Sequence, residues 1–573
     1  MKKYRFRFWF IIGLCFQLLW ACSTPVNSFE SADRHLRDHL LPKIQVEEAL
    51  TPDAVVQNVV IPPLKDPIPD PNAFPLYGAQ PNSDPNIVYL EVYSSAEKAN
   101  ANRVDERWMV DVAENFNRQQ QKVSGKVVQV GIRNIPSGLA AKVLAAKAGQ
   151  PAAYTPSNQL WLELLKNSGI SQTMLEDKLL PDDRAGFIVD AQAYQELSKQ
   201  GEVTFARLLD AILAGNLKLG YSNPFISSSS LNLLYTVLWQ AAGHDKDGKP
   251  LTLNDLKSPQ VVSVFDTFQN QVVLMGLTTL DLRDTFLRDS SKMQVFLSSY
   301  QLYNQLRQTA GYENIGFVPC GIAQTSPIVG FDWNTGDQQA GLKKFVQFAT
   351  SETMQQLALQ KGFQEGPKSD HPPIPNGAVV KAAQNVWKQR KDGGKTVYME
   401  LVVDTSGSME ENNRLGAVQA ALKLASQEIN RGNQVGLITF SDRPIHRMKL
   451  APFDESAQKR LFAAIEELRP DGDTALYDGL AVGLAELMEK QKADPNGKFY
   501  LLLLTDGERT AGFSHDDLKD VIKYSGIRIY PIAYGEVDQA ELQDIAAVRE
   551  GRVYEGNPDT VQTLLKDLFQ TQL

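Results

Sequence analysis

Cysteine and histidine are scarce: the 573-residue chain holds three of the first and six of the second. Cys15 and Cys22 fall near the amino terminus, so only Cys320 remains for a folded body, and one thiol excludes an intrachain disulfide framework. Cys320, in GFVPCGIA with no histidine close by, reads as a small buried apolar side chain rather than a nucleophile. The histidines do not cluster. HExxH, the GxSxG elbow and a complete P-loop are all missing, which leaves no catalytic residue to nominate. GHDKDGKP, residues 243–250, begins like a P-loop, but Pro250 replaces the hydroxyl that would hold Mg²⁺ and its acids would repel phosphate, so it reads as a surface turn. His35 and His39 are spaced for one helix face but lack the glutamate of a zinc motif. Basic runs are absent as well. A net charge of −9 argues against a nucleic-acid-binding face.

What is present begins with Lys2, Lys3, Arg5 and Arg7 ahead of the apolar FWFIIGLCFQLLW, the order of a secretory signal over residues 1–21. The run is shorter than the roughly 20 residues a spanning helix needs. Leu19-Trp20-Ala21-Cys22 resembles a bacterial lipobox, although Trp20 departs from the small or branched residue usual there. That resemblance implies cleavage before Cys22, a lipid on its sulfur and a membrane-anchored protein of the cell envelope, periplasmic or at the cell surface. Residues 22–85 are rich in proline, as in IPPLKDPIPDPNAFP, and predict an extended, semi-rigid spacer.

From Ile87 the pattern turns α/β. IVYLEVYSS and KVVQVGIRN read as strands, WMVDVAENFNRQQ and GLAAKVLAAKAG as helices, and this alternation favours a parallel sheet covered by helices. LNLLYTVLWQAAG, MQVFLSSYQLYNQLRQ and AGLKKFVQFATSETMQQLALQKG read as further helices. In order and pattern, YSSAEK, NIPSGLAAKVLAAKAG, SNPFISSSSLNLLYTVLW and KKFVQFATSETMQQLALQKGF make residues 86–370 resemble a bacterial extracellular solute-binding protein. The resemblance implies a two-lobed domain with a ligand between the lobes. Ser94, Ser95, Ser137, Ser228 and Ser229 lie at strand ends and helix starts, where hydroxyls and free N–H groups can receive a small solute or anion. Serines also cap helices in any protein. HPPIPNG and the helical AAQNVWKQRKDGG, within 371–396, predict a linker.

The most informative stretch is Val397–Met409, VYMELVVDTSGSM. Its apolar run has the composition of a strand buried on both faces of a parallel sheet, and it ends in Asp404, Ser406 and Ser408. In open α/β sheets, sites lie outside such strand ends. Oxygen-only ligands suit a hard divalent cation that keeps some of its waters. Two more oxygens are at hand: Thr474 in the turn-rich RPDGDTALYDGL, and Asp506 after the apolar FYLLLLTDGE. DTSGSM, then Thr474, then TDGE resembles the metal-ion-dependent adhesion site of a von Willebrand factor A domain, covering residues 397–573. The resemblance implies a doubly wound, Rossmann-like domain holding Mg²⁺ or Mn²⁺ on Asp404, Ser406, Ser408, Thr474 and Asp506. It also implies a partner protein that offers the ion an acidic side chain. Asp442, Asp473 and Asp478 are candidates to orient hydroxyls and waters around the ion.

The sequence thus predicts an α/β chain in which a two-lobed solute-receptor domain precedes a metal-dependent protein-binding domain. A transport-linked solute receptor is the alternative, and a metal-dependent hydrolase a more distant one.

Overall fold

The computed structural model describes residues 25–572 apart from 63–67, 277, 278, 289, 292, 369, 370, 508, 536–538, 549–552 and 559. The expected signal segment, Cys15 and Cys22 lie outside the described residues. Two compact units emerge, and neither is one continuous stretch of chain. The first comprises residues up to Ile61, Thr396–Lys423 and Arg431–Val561; the second comprises Pro62–Lys395, Leu424–Asn430 and Gln562–Leu573. Among the described residues, no helix is long and apolar enough to cross a membrane.

The first unit is built on a seven-stranded sheet. In chain order its strands are β1 (Glu47–Glu48), β2 (Val397–Asp404), β3 (Gln434–Phe440), β4 (Pro444–Pro452), β5 (Lys498–Thr505), β6 (Arg528–Tyr534) and β7 (Tyr554–Gly556). They lie side by side as β1-β4-β3-β2-β5-β6-β7. Only the β3–β4 pairing is antiparallel. Its helices are α1 (Phe29–His35), α2 (Asp53–Asn58), α3 (Arg414–Ala425), α4 (Glu455–Glu466), α5 (Leu476–Ala493), α6 (His515–Tyr524) and α7 (Ala540–Val548). All eight residues of β2 are buried, as its unbroken apolar run requires of a central strand covered on both faces. Val402, Ile438, Leu501 and Leu503 pack against Leu480 and Leu484 of α5 in one core cluster. Because β3 pairs with one side of β2 and β5 with the other, the strand order reverses at the carboxyl end of β2, the place where doubly wound sheets receive ligands.

The expected spacer is not extended over residues 29–58. Ala32, Leu36, Leu40 and Ile44 recur every four residues and are buried in the core cluster that contains α5. Asp33 bonds Arg37 at 2.9 Å and Lys492 at 2.5 Å. Glu47 and Glu48 add a parallel strand to β4, in register with Ile445 and His446. Glu48 pairs with Lys449 at 2.7 Å and Asp53 with Arg460 at 2.6 Å. This covers a sheet edge that would otherwise present unpaired backbone groups. Prolines punctuate the segment without preventing it from docking. The rings of His35 and His39 lie 5.3 Å apart on this docked segment.

The second unit holds two sheets. One orders Leu76–Gly78, Lys126–Asn134, Ile87–Ser94, Ala153–Thr155, Ile328–Phe331 and Gln172–Glu176, with Lys122–Val123 beside Lys126–Asn134. The other orders Val272–Gly276, Leu219–Ser222, Val295–Ser299, Ala185–Val189 and Gly316–Pro319. The chain passes from the first sheet to the second after Glu176 and returns after Pro319, so two crossings join two lobes. Leu180 N–H donates to Thr325 O at 3.1 Å and ties the crossings together.

Three local readings change. MQVFLSSYQLYNQLRQ contains a strand, Val295–Ser299, before its helix, because VFLSS is buried between two neighbouring strands. AGLKKFVQFATSETMQQLALQKG is two helices, broken where Ser351 takes an extended conformation. The linker read over 371–396 contains a core helix, Gly377–Arg390, whose Val379, Val380, Ala383 and Trp387 are buried in the second unit, with Trp387 Nε1 donating to the Tyr221 hydroxyl at 2.8 Å. The carboxyl-terminal residues 562–572 also group with the second unit: Gln572 donates to Met275 O at 3.0 Å, and Asn223 to Gln570 at 3.1 Å.

Candidate functional site

The apolar run of β2 stops at Asp404, whose side chain therefore emerges at the buried end of the sheet with no strand partner to satisfy it. Its own loop and the neighbouring strand do so: Asp404 Oδ1 accepts from Ser406 N–H at 2.8 Å, and Oδ2 accepts from the Thr505 hydroxyl at the end of β5. Beyond it the Ser406 and Ser408 hydroxyls lie 3.1 Å apart, and Ser408 Oγ donates to Asp506 Oδ1 at 2.8 Å. The Thr474 loop is stitched alongside. Gly407 N–H donates to Gly472 O at 3.0 Å and Asp471 N–H to Thr405 O at 2.8 Å, while Thr474 is held by Thr510 through both its N–H and its carbonyl. All three segments expected at the site thus meet at the carboxyl ends of β2 and β5.

The electrostatics are those of a sealed acidic pair. The Asp404 and Asp506 side chains are both withdrawn from water. Burial pushes the Asp404 carboxyl up to about 6, with the charge of Asp506 adding to the rise and the Thr505 and Ser406 hydrogen bonds opposing it. Two buried carboxylates beside two hydroxyls fit a hard dication that would offset their charge. Among the described residues no three His, Cys, Asp or Glu side chains converge as a metal cluster, so such an ion would depend on hydroxyls and water for its remaining contacts.

Two neighbours are not among the expected site residues: Thr505, which opens TDGE, and Arg414, which carries no readable signal. Thr505 braces Asp404. Arg414, at the start of α3, donates to Asp506 Oδ2 at 2.7 Å and to Ser408 O at 3.3 Å. Of the three acids expected to orient hydroxyls and waters, Asp473 accepts from a hydroxyl and the other two brace backbone. Asp442 accepts from Asp473 N–H at 2.7 Å, Asp478 accepts from Phe513 N–H at 2.8 Å, and Asp473 lies 3.4 Å from the Thr510 hydroxyl.

The second unit has its own concavity, a cleft of ≈ 190 Å³ lined by Glu97, Ser137, Ser157, Asp183, Ser228 and Ser229 among others. Ser94 and Ser95 do not line it. Ser94 is fully buried, and the Ser95 hydroxyl lies between Glu97, at 2.5 Å, and the ammonium of Lys98. Ser228 Oγ already accepts from Trp161 Nε1 at 2.8 Å. No lysine or arginine lines the cleft among the described residues: Lys98 has no exposed surface and donates to Thr155 O at 3.1 Å. Burial would raise the Glu97 carboxyl, but Lys98 and the Ser157 and Ser95 hydroxyls outweigh it and hold it low; burial pushes Asp183 up to about 7. The cleft therefore presents hydroxyls and acid oxygens. Elsewhere in this unit, burial pushes the Cys320 thiol up to about 12, and GHDKDGKP forms a turn pinned by His244 between Asp247 and Asp255.

Comparison with known proteins finds two families in order along the chain. Residues 104–364 match the bacterial extracellular solute-binding protein family, and residues 399–570 match the von Willebrand factor type A domain. Calcium-activated chloride channel regulator 1 of Bos taurus is 30% identical over 161 residues, 28% of this chain and 17% of that protein, so the chain spans less than a fifth of that relative. The sulfate-binding protein SubI of Mycobacterium tuberculosis H37Rv is similar over 53% of this chain and 91% of its own, at 16% identity and a TM-score of 0.34. Proximal thread matrix protein 1 of the mussel byssus, solved with a zinc-occupied MIDAS motif, is similar over 35% of this chain and 52% of its own, at 19% identity and a TM-score of 0.26. The chain joins a domain of the bacterial extracellular solute-binding type to a following domain of the von Willebrand factor type A.

Proposed function

We propose that the von Willebrand factor type A domain binds a partner protein through Mg²⁺ or Mn²⁺ held by Asp404, Ser406, Ser408, Thr474 and Asp506. The observation that carries this reading is the run of contacts from Ser406 to Ser408 to Asp506, at 3.1 and 2.8 Å, at the buried end of β2 and β5. When bound, the ion supplies a Lewis-acidic position that an acidic side chain of the partner can fill. Asp404 fixes the loop through Ser406 N–H and Thr505, and the hydroxyls of Ser406 and Ser408 would help to hold the ion. No catalytic residue is assigned, since no histidine lies in the set to move a proton. The chain is exported and anchored through a lipid on Cys22, which places the domain at the cell envelope. A pull-down from envelope extracts in Mg²⁺ tests this: capture is expected to disappear in EDTA and in Asp404→Ala, and capture unaffected by either defeats the reading.

The cleft favours a second role, that of a transport-linked receptor for a small polar solute, because its walls are hydroxyl-rich and its volume admits only a small molecule. A melting shift with small anions or sugars, preserved in Asp404→Ala, is expected of such a role. Turnover of an ester or phosphate substrate lost in Asp506→Ala would instead establish the hydrolase reading.

A further inference from the structure

The proposed metal site contains a cation of its own. Arg414 Nη1 lies 2.7 Å from Asp506 Oδ2, the carboxylate oxygen that Ser408 does not use, and 3.3 Å from Ser408 O. The guanidinium is delivered there by an unusual turn. Asn412 and Asn413 both adopt left-handed backbone, with φ of 51° and 56°, and α3 begins at the next residue. Asparagine tolerates that conformation better than most residues. On the far side the chain leaves room for the side chain: Gly535, at φ 93°, would place a Cβ 3.1 Å from Arg414 Nε. Arg414 also has an alternative acceptor, since Glu411 Oε2, on a largely exposed side chain, lies 3.4 Å from the same Nη1.

We infer that Arg414 is a resident counter-ion of the metal site: it neutralises Asp506 while no metal is bound, and a divalent cation must displace it from Oδ2 toward Glu411. This rests on the metal site proposed above. The physical reason is that Asp506 has no exposed side-chain surface, so its charge cannot be left to water and requires a partner in either state. A guanidinium and a dication on one carboxylate repel each other, so the second enters as the first leaves. The exchange sets a threshold. Only an ion of high charge density displaces a bonded guanidinium, which discriminates against Na⁺ and K⁺ at the same oxygens.

The test is a calorimetric titration of the purified full chain with MgCl₂ and MnCl₂, comparing wild type, Arg414→Gln and Arg414→Lys. Arg414→Gln is expected to bind Mg²⁺ about tenfold more tightly, the worth of one charge-assisted hydrogen bond that no longer has to be broken. Arg414→Lys, which keeps the charge, is expected to stay near wild type. Metal-free Arg414→Gln should melt below wild type, with the gap closing at saturating Mg²⁺. Equal or weaker Mg²⁺ binding by Arg414→Gln overturns the exchange while leaving the metal site standing; absence of binding in all three removes the site and the exchange with it. If Arg414→Gln folds poorly, ¹⁵N-arginine labelling of the wild type, with the Arg414 Nε–H signal assigned by Arg414→Lys, decides the matter. That signal moves on Mg²⁺ saturation if the exchange occurs, and an unmoved signal overturns it.

Discussion

At the end of β2 the carboxylates of Asp404 and Asp506 are sealed from water and Arg414 reaches in over them; in the cleft of the second unit the sealed group is the cation, Lys98, and the carboxylate of Glu97 faces the opening. The ingredients are the same, an acid, a base and a few serines. Which member of the ion pair is buried decides what the remaining surface can receive. Sealed acids demand a positive charge, whether a guanidinium or an ion. A sealed base leaves hydroxyls and acid oxygens to meet a solute by hydrogen bonds.

The sharpest way to break this contrast is Asp506→Ala. It removes a proposed ligand outright, so metal affinity should fall more than the roughly 10–100-fold seen when only an outer partner of a metal ligand is lost. The metal-free domain should lose roughly 1.5–3 kcal/mol, the worth of a hydrogen bond to a charged group, since Arg414 can still turn to Glu411. Calorimetry and denaturant melts measure the two effects, and any melting shift caused by a cleft solute should survive.

Gly138→Ala addresses the other side. An added Cβ would stand 2.0 Å from Phe225 O and 2.8 Å from Ile226 Cα, so the helix start at Ser137 has to retreat from the backbone that borders the cleft. A loss of roughly 1–3 kcal/mol is expected from such overpacking. Metal titration should be unchanged, and a loss of Mg²⁺ binding in this variant would show that the two sites are not independent.

The smallest effect is a difference in pH dependence. Glu400, on β2, is fully buried with no hydrogen-bond partner for either oxygen among the described residues, and burial together with the charge of Glu486 holds its proton well above the usual carboxylate range. Asp183, in the cleft, is raised to about 7 by burial. In both cases the folded chain keeps a proton that the unfolded chain releases, so stability falls as pH rises above the ordinary carboxylate values. For Asp183 that loss is complete near pH 7; for Glu400 it continues to higher pH. Melting curves from pH 4 to 8 should therefore flatten in Glu400→Gln and, over a narrower window, in Asp183→Asn. Curves parallel to wild type would contradict the buried acids' role.

The meeting of the Asp404, Thr474 and Asp506 segments was legible because each closes an unbroken apolar run or a turn-rich stretch, and strand ends are where α/β sheets place ligands. Arg414 was not legible, since nothing in the local sequence ties it to an acid 92 positions away. The docked segment over 29–58 was hidden by composition: its prolines are conspicuous, whereas the four-residue recurrence of Ala32, Leu36, Leu40 and Ile44 is short and matters only against a partner surface far along the chain. VFLSS reads equally well in a helix or a strand, and only its neighbours in the sheet choose. In the cleft, hydroxyl positions could be anticipated at helix starts, but whether a serine faces the opening or is buried beside a lysine depends on packing that spacing does not encode.

The pairing of Glu47 with Ile445 has a bearing on how the molecule is made. A chain synthesised amino end first exposes α1 and β1 long before β4 and α5 exist to receive them. The apolar side chains of α1 wait unshielded while residues 62–395 are made. The first unit is then complete only once residues up to Val561 have been made, and the second unit, which takes in Gln562–Leu573, only after them.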